Sequence, residues 1–211
     1  MSVKHIEGKR RLNPAKKGFT LLELIIVIAV VAVLSAVVLL TLNPAEMIKR
    51  TRDAQRISDL QIIKKALSLY ITDVSSPTIA KNGSTCYTSV TSTISATCGG
   101  RHNTVSQGTS TDANLIKVNG TGWVGSDGTA GGPDLTKISA GAPIGQWPDD
   151  PVNNTTYFYS YVASTTSNFF ELNAKMESAK YQNGGPNDVE SRDGGSSSTV
   201  YEVGTIPGLN L

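Results

Sequence analysis

Residues 19–42 read FTLLELIIVIAVVAVLSAVVLLTL, and only Thr20, Glu23, Ser35 and Thr41 interrupt the apolar run. As a helix, these 24 residues at about 1.5 Å rise each extend ~36 Å, enough to cross a ~30 Å hydrocarbon core with some tilt. Apolar side chains all round leave no wet face, so a surface-lying amphipathic helix is excluded. The run is expected to enter a membrane. Lys4, Lys9, Arg10, Arg11, Lys16 and Lys17 precede it, which predicts an N-terminus kept in the cytoplasm and an exported remainder. A secretory signal peptide cut near Ser35 and Ala36 is the competing reading. The run exceeds the usual 7–15 residue apolar region of such peptides and continues past that point.

Glu23 is the only charge in the run. A carboxylate inside an apolar helix costs on the order of 2.5–3.5 kcal/mol near the bilayer centre and less near an end, so it is a functional residue by default. The alternative places it idly at the headgroup level. The full stretch Lys16-Lys17-Gly18-Phe19-Thr20-Leu21-Leu22-Glu23-Leu24 resembles the N-terminal motif of type IV prepilins and type II secretion pseudopilins. That resemblance implies cleavage between Gly18 and Phe19 by a prepilin peptidase, then N-methylation of Phe19. It also implies a filament in which Glu23 pairs with the N-terminal amine of a neighbouring subunit. Both charges must be desolvated to pair, so the pair acts as a register device more than as a net stabiliser.

Family members usually carry a proline inside the first helix. Here Pro44 lies just beyond the apolar run. Asn43-Pro44-Ala45-Glu46 reads as a fresh helix start with Asn43 as N-cap, so a kink or brief break is expected at 42–44. Beyond it, Ile57, Leu60, Ile63, Leu67, Tyr70 and Ile71 recur every three or four residues. They form one apolar helical face. Lys49, Arg52, Arg56, Asp59 and Lys64 fall on the other positions, and Ser75-Ser76-Pro77 ends the helix.

The remaining chain is compositionally different. Of 20 glycines, 18 follow residue 74, together with abundant Ser and Thr. Residues 74–156 read as loop-rich, with short strands or an ordered Ω-like loop. Cys86 and Cys98 are the only cysteines, and in an exported head they read as a disulfide. With His102 they fall short of a four-ligand zinc site. Residues 157–162 and 168–176, separated by a Ser/Thr turn, read as a β-hairpin with Phe170, Leu172, Ala174 and Met176 on one face. Residues 199–203 read as a third strand. Six of thirteen aromatics fall between 157 and 170, which locates the expected core of the head.

The stretch from Trp147 to Asn154 is similar to the Pro-Asp-Pro-x-x-Asn segment of major pseudopilins, some of which hold calcium on loop oxygens. Asp188, Glu190 and Asp193 are weak calcium candidates on that basis, without EF-hand spacing.

The expected architecture is an α+β, pilin-like ladle: a long N-terminal helix, half transmembrane and half packed on a small antiparallel β-sheet with a long loop region. The expected divisions are a leader at 1–18, a transmembrane and filament-core helix at 19–42, an amphipathic helical half at 43–74, and an extracytoplasmic head at 75–211. The resemblance implies an inner-membrane protein whose partners are copies of itself, minor pilins or pseudopilins, the peptidase, and an assembly platform with its ATPase. No cofactor is required. An enzyme is disfavoured because a nucleophile–base–acid series needs His102, which has no nucleophile elbow around it. Direct nucleic-acid binding is disfavoured by the 11 acids against 7 bases after residue 73. A membrane-anchored binding domain that never polymerises is the remaining alternative.

Overall fold

A computed structural model describes residues 18–104 and 106–206, without the side chains of 39–42; the leader positions before Gly18 lie outside the described residues. The chain forms two compact units, Met1–Pro44 and Ala45–Leu211.

In the first unit, α1 spans Leu21–Leu42. Thr20 has extended backbone and caps the helix, its Oγ1 accepting the Glu23 amide at 3.2 Å. Ser35 satisfies its own hydroxyl by donating to the Val31 carbonyl at 2.7 Å. From Leu21 to Val38 mean hydropathy is 3.1 and none of the window is buried.

The helical assignment breaks at one residue, as expected, but Asn43 plays a different part from the predicted one. It takes the left-handed conformation (φ 41°, ψ 76°) and closes α1. The proline that follows disfavours right-handed helical backbone at Asn43, and asparagine tolerates the left-handed region better than most residues. Pro44 then opens α2, which spans Pro44–Asp73, where its missing N–H costs nothing.

The second unit packs α2 against a five-stranded sheet. The strands are β1 (Thr85–Thr88), β2 (Ser106–Thr109), β3 (Tyr159–Ala163), β4 (Phe170–Ala174) and β5 (Tyr201–Gly204). Their order is β2-β1-β3-β4-β5. The expected hairpin is β3–β4, and β5 adds to its outer edge antiparallel. The sheet is mixed, because β1 and β2 pair in parallel. The chain from 89 to 104 leads across to β2 instead of making a hairpin turn.

One sheet face meets α2. Leu60, Ile63, Leu67 and Tyr70 share a core with Tyr87, Tyr159, Tyr161, Phe170 and Leu172, as the helical stripe predicts. Tyr159 donates to Asp59 at 2.9 Å and Gln61 donates to Tyr201 at 3.0 Å, fixing helix to strands. Trp123 and Trp147 join this core from the loop region and are fully buried. Backbone bonds from Trp123 to Leu115 and from Trp147 to Ile116, both 2.8 Å, fold that region into an ordered layer.

The other face differs most from expectation. Thr88, Ser160, Asn173 and Glu202 form one cross-strand row, and all four are buried. Strand alternation places Glu171 and Asn173 on the face opposite Phe170 and Leu172. They do face away from α2, but they are covered by the 99–104 turn.

Candidate functional site

At the start of α1, Gly18, Phe19, Thr20 and Glu23 come together around the first turn and line a shallow depression. Phe19 is 82 % exposed. Glu23 lies three residues after the capping Thr20, the spacing of a capping box. Its carboxylate is in the first turn, at the positive end of the helix dipole. The other large apolar side chains up to Val38 are likewise exposed, so α1 presents an apolar surface that needs lipid or other helices to cover it.

In the head, the polar side of α2 yields an unexpected element. Arg56 is fully buried and forms a branched ion network. It donates to Asp150 through Nε (2.6 Å) and Nη2 (2.8 Å), to Asp53 (2.9 Å), and pairs with Glu177 at 2.7 Å. Tyr157 lies 5.1 Å away, below the guanidinium. Asp53 accepts the amides of Glu177 and Ser178 at 2.9 and 2.8 Å. Asp150 accepts those of Val152 and Asn153. Burial alone would lower the Arg56 pKa, but the carboxylates of Asp150, Glu177 and Asp53 outweigh it and raise it. For Glu177, burial raises the pKa, and bonds to Arg52 and Arg56 reverse this to a net lowering. The Pro-Asp-Asp-Pro stretch thus docks the helix to the sheet.

Cys86 and Cys98 form a disulfide with Cα atoms 6.2 Å apart. It packs with Val90 and Phe158 in a small separate cluster and fixes the turn that carries Gly99, Gly100 and Arg101.

Asp188, Glu190 and Asp193 do not converge. Asp188 accepts the amides of Gly184 and Ser191, and bonds from Ser191 hold its pKa down at about 2. Glu190 accepts Met176 and Asn183; Asp193 accepts Gly195 and Glu202. Asp188 caps backbone of its own loop, whereas Glu190 and Asp193 tie the loop to Met176 and to β5; among the described residues no cluster of three His, Cys, Asp or Glu suits a metal ion.

His102, read from sequence as a loop residue, is buried between Ser160 (Nε2 to Oγ, 3.0 Å) and Glu171 (Nδ1 to Oε1, 3.4 Å). The residue types match a nucleophile–base–acid series. Ser160 is 0 % exposed, however, and the cavity reaching His102 and Glu171 is not lined by it. The cluster supports the polar row of the sheet. No sequence signal pointed to it, since residues 102, 160 and 171 meet only through strand register.

Against this geometry, residues 13–39 match the Prokaryotic N-terminal methylation motif, so the chain carries the prepilin-type signature of type IV pilins and pseudopilins. The match covers the first turn and most of α1, and the head lies beyond it. Proteins with this motif are structural subunits, and in general it implies processing by a prepilin peptidase and filament assembly. Neither the curated proteins nor the solved structures give a significant match to the chain.

Proposed function

We propose that this protein is a structural subunit, a pilin or pseudopilin, that assembles through its N-terminal helix into a type IV pilus-like filament or a secretion pseudopilus. The observation that supports it most is the coincidence of the motif at 13–39 with a helix whose large apolar side chains are exposed. In this reading residues 1–18 are a leader cut between Gly18 and Phe19, and the new Phe19 amine is methylated. Residues 19–42 span the inner membrane before assembly and form the filament core after it, with the break at Asn43 and Pro44 absorbed in the packing. Residues 43–74 continue the stem, and 75–211 form an extracytoplasmic head. Copies of the chain, minor subunits, the peptidase, and the assembly platform with its ATPase are the partners. The head has no enzymatic role and needs no cofactor.

Glu23 is the register residue: its carboxylate meets the methylated amine of the adjacent subunit in a medium where neither charge tolerates isolation. Its place after a capping Thr20 keeps it in the first turn, next to the amine of the cut chain. Glu23→Ala and Glu23→Gln are expected to lower the sheared filament fraction by about tenfold or more, corresponding to at least ~1.4 kcal/mol of lost pairing. Membrane level and cleavage at Phe19 stay unchanged. Normal filament yield from both variants, or an unaltered membrane tether with no filament in the wild type, would favour a non-polymerising binding domain.

A further inference from the structure

Arg101 differs from the two arginines that α2 sends into the head. Arg52 and Arg56 each hold carboxylates. Arg101 instead lays its guanidinium over the Phe158 ring, with Cζ 3.6 Å from the centroid. It donates to two carbonyls, of Phe158 (2.6 Å) and Thr156 (3.1 Å). Two of its five N–H donors are used in this way, and the remainder carry charge without an acidic partner. The acids whose fields reach it are engaged elsewhere: Asp150 with Arg56, and Glu190 with two backbone amides. Burial pushes the Arg101 pKa down to about 9, still well above neutral pH, so the guanidinium stays charged.

A cavity of about 240 Å³ opens at this residue. Its walls include Arg101, Lys175 and the hydroxyl-bearing Thr155, Thr156, Ser197 and Thr199. Lys175 follows β4 on the polar side of the sheet and is half-buried. It makes no ion pair among the described residues. The field of Lys175 reaches Glu190, which is itself held by two backbone amides; two cations outside any ion pair, lining one pocket with neutral hydroxyls, form an environment that favours negative charge.

We propose that this cavity binds an oxyanion, the carboxylate, sulfate or phosphate group of a small ligand, held by Arg101 and Lys175 with neighbouring hydroxyls completing its coordination. The planar fork of Arg101 is pre-oriented by Phe158 and the two carbonyls, so little side-chain entropy is lost on capture. The disulfide between Cys86 and Cys98 holds the turn that positions it. The inference concerns the head alone and does not depend on filament assembly.

The test uses the full chain in detergent micelles, titrated with sodium sulfate, sodium phosphate and sodium glucuronate. Sodium chloride at matched ionic strength and glucose serve as controls. Amide resonances of Gly99, Gly100, Arg101, Lys175 and Ser197 are expected to shift saturably with the oxyanions and not with either control. Preference for inorganic sulfate or phosphate identifies a free anion; preference for glucuronate identifies a group borne on a sugar. Lys175→Gln, which alters a half-exposed side chain, should weaken binding about tenfold or more, as loss of a charge-assisted bond implies, with an unchanged melting temperature. Arg101→Lys should do likewise, since it keeps charge and loses the fork. Non-saturable shifts identical to those with chloride would overturn the proposal, as would affinity unchanged in both variants.

Discussion

Arg56 connects three segments distant in sequence, and its energetics follow from its burial. Removing one member of a buried ion network leaves the others as uncompensated charge, which typically costs about 3–5 kcal/mol. Arg56→Ala therefore strands Asp53 and Asp150 and leaves Glu177 to Arg52 alone, and chemical denaturation should register a loss of that size. Arg52 pairs with the same Glu177 but keeps 31 % of its side chain in solvent. Arg52→Ala should cost about 1 kcal/mol or less. Glu202 supplies the opposite kind of residue. Burial first, and then the nearby charges of Glu171 and Asp193, push its pKa up to about 7. The folded state thus holds a proton that the unfolded chain releases near pH 4.3. Stability from this group is complete below the ordinary carboxylate range and is lost as pH rises through 7, by on the order of 3 kcal/mol. Glu177 acts in the other direction, stabilising above its unfolded pKa and losing this as pH falls. Glu202→Gln keeps an acceptor for the Ser197 amide and removes the titration. Urea unfolding should place it near wild type at pH 4 and progressively more stable than wild type from pH 5 to 7, with a constant difference above that.

The elements divide by how local their cause is. The apolar run of α1, the stripe of α2 and the β3–β4 hairpin were legible because their periodicity is carried by residues within a few positions of one another. The break at Asn43 was legible from Pro44, although its left-handed backbone was not. β1 and β2 escaped because four-residue strands reading TCYT and SQGT are too short to show a pattern of their own, and their parallel pairing depends on the crossover between them. The disulfide was legible from count and compartment alone. Its contribution can be measured: it closes a sequence separation of 12 residues, for which loop-closure entropy gives about 2–3 kcal/mol. The double variant Cys86→Ala/Cys98→Ala should lose about that much stability. Amide exchange should rise in the 95–104 turn while protection in β4 and β5 is retained.

At the scale of the whole molecule, the head was only half readable. Trp123, Trp147, Arg56, Glu171 and Asn173 are buried by partners far along the chain; the bonds from Arg56 to Asp150, for example, span 94 residues. No window of sequence contains both ends of such a contact. The functional segment is the reverse case. Its meaning lies in nine consecutive residues from Lys16 to Leu24, and the helix exposes its apolar surface from Leu21 to Val38. The two units therefore carry different information: an apolar helix with a prepilin-type motif, defined by local sequence, and a head whose surface is defined by tertiary contacts. Processing at Gly18 is the event on which the account rests, and mass spectrometry of the intact chain and its N-terminal peptide, from native membranes, tests it directly. The account predicts a mature chain beginning at Phe19 and carrying one N-methyl group. An uncut N-terminus, or a chain beginning near Ala36, would contradict it.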